Sequence, residues 1–321
     1  VSRLRVGLLA NPTAAHGTAH RVGRQVGHLL HLAGISVVDL SGPSAHVARA
    51  RAEEVRDSLT ALVVVGGDGT VSLGAEIVAG TPVRLGIVPA GSGNDFARAL
   101  GLSVNDPEES TRALLHALSR PVVTIDAIEL TSTGASALPH RSLALGNVNL
   151  GFDALVNARA NGARSGHTMR YTAAVLRELP TFRALPYWLE IDGGERLEID
   201  AQLLSLCSTG VYGGGMQMVP GARIDDGLLE LLSIEGKSRR DLMRFFPRVF
   251  KGTHTELDGV EIRPVREVTV GLRRGRSLRT YADGEARALL PVTARVLPGA
   301  VRLLADLSAL RGEDAGDGGA Q

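Results

Sequence analysis

Along the first 124 residues, short apolar runs alternate with stretches whose apolar positions recur every three to four residues. Val6-Gly7-Leu8-Leu9-Ala10, Leu62-Val63-Val64-Val65 and Leu85-Gly86-Ile87-Val88-Pro89 read as buried strands. Residues 18–33 carry Val22, Val26 and Leu29 or Leu30 at helical spacing, and Gly34 closes them. Ser44 can cap a second helix running to about residue 59. Asp106 with Pro107 opens another, with Leu114, Leu115 and Leu118 on one face. This βαβα order predicts a parallel sheet with helices on both faces.

From about residue 125 the period changes from helical to alternating. Strand-like segments fall at 141–150, 187–191, 197–206, 228–234, 260–272 and 278–282. Asp192-Gly193-Gly194 stands between two of them, a strong hairpin signal. The second half therefore reads as an all-β antiparallel sandwich, with helical inserts near 167–179 and 238–250. The expected domains are 1–124 and 125–298. A segment at 299–310 is expected to pack back on the first domain, and 311–321 to be a disordered Gly- and Asp-rich tail.

Composition narrows the function. A chain of 321 residues with 44% hydrophobic content suggests two domains with sizeable cores. A net charge of +1 is too balanced for nucleic-acid binding. Lys237 and Lys251 are the only lysines, neither lies in a glycine loop, and no GxxxxGK[ST] stretch occurs. That excludes a P-loop NTPase. Any phosphate must be met by backbone N–H groups, arginine and metal. The single cysteine, Cys207, cannot form an intramolecular disulfide and reads as a buried strand residue in a reducing compartment. No signal-peptide pattern is visible, since Arg3 and Arg5 interrupt the first strand. No apolar run approaches the roughly 20 residues of a membrane helix. The expected location is cytoplasmic.

Two glycine loops carry the candidate chemistry. Gly66-Gly67-Asp68-Gly69-Thr70 ends one apolar strand, and Ala90-Gly91-Ser92-Gly93-Asn94-Asp95 ends the next. Glycines let the backbone approach a bulky anion, and phosphate oxygens seek bare N–H groups. Asp68 adds a carboxylate suited to a base or a metal-organising role. Loops at the carboxyl ends of neighbouring parallel strands meet at one crevice. The plainer reading is an ordinary strand-to-helix turn. Asn11-Pro12-Thr13 is a third polar turn at a strand end.

In the second half, Gly213-Gly214-Gly215-Met216 precedes Asp225-Asp226-Gly227. Adjacent aspartates before a glycine suit a hard cation, or simply a β-turn. Asp283-Gly284-Glu285 places two carboxylates around a glycine, as a general base beside a substrate hydroxyl or as a solvated hairpin turn. Residues 239–251 interleave cations with Phe245, Phe246 and Phe250. Such a helix either lies at a membrane interface or packs its Phe face on the sandwich. His16, His20, His28 and His31 show no metal spacing and read as solvated positions.

Taken in order, Asn11-Pro12, GGDGT at 66–70, PAGSGNDFAR at 89–98, Gly151-Phe152-Asp153, GGGM at 213–216, Asp226-Gly227-Leu228 and Asp283-Gly284-Glu285 resemble the diacylglycerol kinase-like lipid kinases. The likeness is nearest to soluble bacterial diacylglycerol kinases of the actinobacterial type and spans about residues 5 to 305. GGDG alone is shared with NAD kinases and phosphofructokinases. The first loop departs from the family's Asn-Pro-x-Ser-Gly, and Ser92 replaces its common Thr.

The resemblance implies an NAD kinase-like α/β domain followed by the sandwich, with ATP in the cleft between them. It implies nucleotide contacts at Asn11, Ser41, Gly66, Gly67, Asp68, Gly69, Thr70, Ser92 and Asn94. Glu285 would accept the hydroxyl proton, and Asp68 would organise a catalytic magnesium with Asp283 and Glu285. Asp226, with the carbonyls of Arg223 and Leu228, would hold a structural magnesium. The implied reaction is ATP-dependent phosphorylation of diacylglycerol to phosphatidic acid. The alternatives are another lipid acceptor (sphingosine, ceramide or phosphatidylglycerol), NAD, or a catalytically silent nucleotide- or lipid-binding module. The expected partners are a membrane lipid and a membrane surface met peripherally, with no nucleic acid; a homodimer is left open.

Overall fold

The computed structural model describes residues 4–11, 18–132, 141–151, 183–236, 238–275 and 278–305. The helical insert expected at 167–179, the tail, Pro12, Thr13, Phe152 and Asp153 lie outside them. The chain divides into two compact units, one built up to Thr124 plus the stretch from Val301, the other from Ile125–Ala300.

In the first unit, β1 (Arg5–Ala10), β2 (Ser36–Asp39), β3 (Ala61–Gly66) and β4 (Arg84–Pro89) are parallel in the order β4-β3-β1-β2. Every residue of β3 is buried, as a central parallel strand covered on both faces requires. α1 (Thr18–Leu32) buries Ala19, Val22, Val26 and Leu30 in one core with Val6, Leu8, Val63 and Val65. His20, His28 and His31 point to solvent from its other face. Ser44 caps α2 (Ala45–Val55) by accepting from the Val47 N–H at 3.3 Å. The chain then tightens into a 3₁₀ turn, Arg56–Ser58, so α2 stops short of its expected end. α3 (Asp68–Val78), α4 (Asp95–Ala99) and α5 (Pro107–Ala117) follow, the last capped by Asp106 through the N–H groups of Glu108 and Glu109.

The fifth parallel partner comes from far along the chain. Arg302, Leu303 and Leu304 pair with Arg84, Leu85 and Gly86 of β4. They end β15 (Val292–Leu304), a strand of 13 residues that passes Pro298 without interruption. Sequence had suggested a boundary there. Pro298 lies between the stretch paired with β12 and the stretch paired with β4; β15 pairs with β5 as well.

The second unit is antiparallel. Its strands are β5 (Val123–Ser132), β6 (Arg141–Ala144), β7 (Asn147–Asn149), β8 (Leu185–Ile191), β9 (Arg196–Cys207), β10 (Leu229–Glu235), β11 (Val260–Val265), β12 (Glu267–Leu272), β13 (Arg279–Ala282) and β14 (Glu285–Leu289). They run β14-β13-β7-β9-β8-β12-β15, with β10 on β9, β11 on β10 and β6 on β5. Alternation sorts β9 onto two cores. Leu204 and Leu206 join Tyr187, Leu189, Val268, Val270, Val292 and Ala294, while Leu203 and Cys207 face Met216, Met218, Phe245 and Val249. α6 (Arg239–Val249) closes this second core; Ser238 and Asp241 form its capping box.

Two runs that read as single strands are broken. The run at 141–150 divides because the N–H groups of Leu145, Gly146 and Asn147 turn onto the Asp283 carboxylate. The run at 260–272 divides at Arg266. There Asp192 Oδ1 accepts from the N–H groups of Arg266 and Glu267, both at 2.8 Å. Before this point the chain pairs with β10; after it, with β8 and β15. Partners 75 residues away in sequence decide this break, and no local pattern reports it.

Candidate functional site

The carboxyl ends of β1 to β4 share one edge of the first sheet, because the strands are parallel and in register. Asn11 follows β1, and its N–H donates to Val65 O at 3.2 Å. Ser41 follows β2, and its hydroxyl accepts from the Ala10 N–H at 3.0 Å, tying the first two strand ends together. Gly66 ends β3, and the Ala90 N–H donates to its carbonyl at 2.9 Å. The edge therefore gathers Asn11, Ser41, the 66–70 loop and the 90–95 loop.

The two glycine loops touch through their backbones. A Cβ on Gly91 would lie 2.3 Å from Gly67 Cα and 2.7 Å from Gly67 N. A Cβ on Gly66 would lie 2.4 Å from Thr70 Oγ1. Such contacts admit no side chain, so glycine here is a packing requirement. Asn94 locks the second loop. Its backbone is left-handed (φ 57°), and its buried amide both accepts from the Gly91 N–H and donates to the Gly91 carbonyl, each at 3.0 Å. Asp68 bridges the loops: its Oδ1 accepts from the Phe96 N–H at 3.1 Å. Ser92 is exposed at the loop tip.

Gly67 is the N-cap of α3 and offers no side chain to the helix's first amides. Those N–H groups, with the positive end of an 11-residue helix behind them, are suited to an anion. Asp68, Gly69 and Thr70 form the first turn, half-buried apart from buried Thr70.

In the second unit, Asp283 and Gly284 form the turn between β13 and β14, with φ 47° and 79°. Ala282 pairs with Glu285 across it, as a type I′ hairpin turn requires. The Asp283 carboxylate accepts from Leu145, Gly146 and Asn147 at 2.8, 2.9 and 3.0 Å. Its oxygens are thus committed to backbone, and what it does is fix the turn that carries Glu285. Glu285 itself is exposed at the head of β14.

The Asp226 turn has a support that sequence reasoning missed. Asp126, 2% exposed, accepts from the Gly227 N–H at 2.7 Å and the Gly299 N–H at 2.8 Å. Its own N–H donates to Ile224 O at 2.7 Å. The available signal was a carboxylate inside the apolar run Ile125-Asp126-Ala127-Ile128, since a buried charge must be hydrogen-bonded. Asp226 is exposed and accepts from the Leu228 N–H at 3.0 Å, and Asp225 pairs with Arg223 at 3.4 Å. Burial, and then the Asp226 charge, hold the Glu230 carboxyl above its ordinary range. The three glycines of GGGM have φ of 64°, 84° and 103° and close a bridge between Tyr212 and Met216. Among the described residues, no group of three or more His, Cys, Asp or Glu side chains is arranged around a metal position. No helix among them is long and apolar enough to cross a membrane.

Residues 5–127 match the diacylglycerol kinase catalytic domain, and residues 146–305 match the YegS C-terminal NAD kinase beta sandwich-like domain. A diacylglycerol kinase from Mycobacterium tuberculosis is 37% identical over 302 residues, covering 94% of each chain. A protein named as a YegS-like lipid kinase from Chromohalobacter salexigens is 34% identical over 232 residues, 66% of this chain and 63% of its own. Among solved structures, a diacylglycerol kinase from Bacillus anthracis superposes with a TM-score of 0.74 at 20% identity, covering 96% of this chain and 99% of its own. Yeast NADH kinase gives 0.53 at 14% identity, covering 99% and 90%. These two structures bear on the fold alone. A parallel unit with paired glycine loops, followed by an antiparallel β unit, has the NAD kinase-like fold. The chain belongs to the diacylglycerol kinase-like lipid kinase family.

Proposed function

We propose that this chain transfers the γ-phosphoryl group of ATP to the free hydroxyl of diacylglycerol, giving phosphatidic acid and ADP. The observation that carries the reading is the backbone contact between Gly67 and Gly91, which leaves the uncapped first turn of α3 as a cradle for phosphate. The likeness to the mycobacterial diacylglycerol kinase along 94% of both chains supports the acceptor.

In this reading the N–H groups of residues 67–69 bind the triphosphate, the Thr70 N–H being taken by the Gly67 carbonyl, and Asn11, Ser41, Ser92 and Asn94 shape the surrounding edge. Glu285 accepts the proton as the hydroxyl oxygen forms its bond to the γ-phosphorus and the bond to the ADP oxygen breaks. Asp283 holds Glu285 in place through its three backbone bonds. The donors present suit magnesium, a hard cation that prefers oxygen: an exposed Asp226 carboxylate in a turn next to Asp225. Asp226, with the carbonyls of Arg223 and Leu228, would hold a structural ion. Asp68 would hold one at the triphosphate, where it would supply charge neutralisation.

The test is transfer of label from γ-labelled ATP to a lipid panel in mixed micelles with magnesium. Label on diacylglycerol is expected. Label confined to sphingosine, ceramide or phosphatidylglycerol would replace the acceptor. ATP binding without any transfer would replace the reaction with a binding role.

A further inference from the structure

The chain carries a net charge of +1, yet residues 239–251 hold five cations and one carboxylate. Adding Glu256 and Asp258 from the stretch that follows still leaves five cations against three carboxylates. The segment also contains three of the six phenylalanines and one of the two lysines. Phe245 and Val249 are spent on the inner core, 6% and 1% exposed. The remaining rings are not. Phe250 is 39% exposed, and Phe246 is half-buried beside it. The two rings meet edge to face with centroids 5.6 Å apart. Arg248 and Lys251 lie at the same helix end, both exposed. The turn is held firmly from within: the Gln217 N–H donates to Val249 O at 2.8 Å. Gly252, at φ 68°, leaves no room for a Cβ beside Pro220.

An exposed aromatic ring and exposed cations gathered at one helix end match a bilayer interface, where rings enter the headgroup–acyl boundary and cations meet lipid phosphates. We propose that Phe246, Arg248, Phe250 and Lys251 form the surface by which this chain settles on an anionic membrane. The inference rests on the reading above, in that the acceptor is a bilayer lipid. It adds the element that meets the bilayer and the sign of charge that element seeks.

The experiment is co-sedimentation of the full chain with vesicles of phosphatidylcholine alone or mixed with phosphatidylglycerol. Binding is expected only to the mixed vesicles and is expected to weaken as salt rises. Arg248→Gln and Lys251→Gln should each lower partition about five-fold. Phe250→Ser should lower it further, with urea unfolding curves unchanged. As a second readout, Phe250→Cys carrying an environment-sensitive dye should shift to the blue on the mixed vesicles; buried Cys207 keeps the label specific. Unchanged sedimentation of the variants, or an unshifted dye, overturns the proposal. So does a self-associated species that the variants abolish, which would assign the patch to a second copy. Phosphorylation of a short-chain diacylglycerol in detergent is expected to survive in all three substitutions. If the unaltered chain labels no lipid while its vesicle binding still depends on these residues, the kinase reading fails and the docking surface stands.

Discussion

The two units solve the same problem, holding polar turns still at a site, by opposite means. In the first, the loops are brought together by what is missing, since Gly67 and Gly91 pass so closely that no side chain fits between them, and the bonds of Asn94 and Asp68 to nearby backbone hold them there. In the second, turns are fixed by added carboxylates. Asp126, Asp192 and Asp283 each collect backbone N–H groups from segments between 74 and 173 residues away. Asp192 and Asp283 do so from the first position of a left-handed turn, φ 51° and 47°. One unit trades side chains for close approach. The other uses side chains to pin distant strands, and charge-assisted bonds to backbone N–H groups are strong enough for it.

The contrast can be broken or sharpened by substitution. Glu285→Gln should cost most in activity, lowering turnover by about 10²–10⁴-fold while leaving the urea midpoint unmoved, because the side chain is exposed. A labelled-ATP assay beside an unfolding curve checks both halves. Asp126→Ala should do the reverse and destabilise the second unit by about 3 kcal/mol, since two N–H groups lose a charged acceptor. Equal stability of the variant would remove Asp126 as a clamp.

Gly91→Ala should force the loops apart at a cost of about 1–3 kcal/mol. Calorimetry should register this as ATP affinity weakened roughly 10–100-fold. Asp192→Gly keeps a residue tolerant of positive φ but deletes two bonds, and should cost about 1–2 kcal/mol in urea unfolding.

The smallest effect concerns pH. His254 is fully buried against Phe245, with its Nε2 2.9 Å from Met218 O. Burial, only partly opposed by that bond, holds its pKa below the ordinary 6.5. The unfolded chain therefore takes up a proton first. The contribution to stability is complete above about pH 6.5 and falls as pH drops from there toward the folded-state value. Melting temperatures measured across that window should slope downward on acidification, and His254→Gln should flatten the slope.

What sequence reveals follows the same division. The strands β1, β3 and β4, the glycine loops, the caps at Ser44 and Asp106 and the turn at Asp192 are written in neighbouring residues, so periodicity and turn chemistry expose them. The breaks at Gly146 and Arg266, the bonds of Asp283 and the clamp at Asp126 depend on partners far along the chain. Reading Asp283 as a metal-organising acid treated it as free chemistry. The structure commits its oxygens to three N–H groups. Residues 239–251 read as either a core helix or an interfacial one. The structure buries Phe245 and Val249 in the core and leaves Phe250 exposed at the helix end.

The passage of β15 through Pro298 bears on how the protein is made. Until Arg302, Leu303 and Leu304 have emerged from the ribosome, β4 stands at the rim of its sheet with a row of unanswered amides and carbonyls. The opening unit, though translated first, is finished last. During synthesis the nascent chain must shelter that open border while the whole of Ile125–Ala300 is assembled.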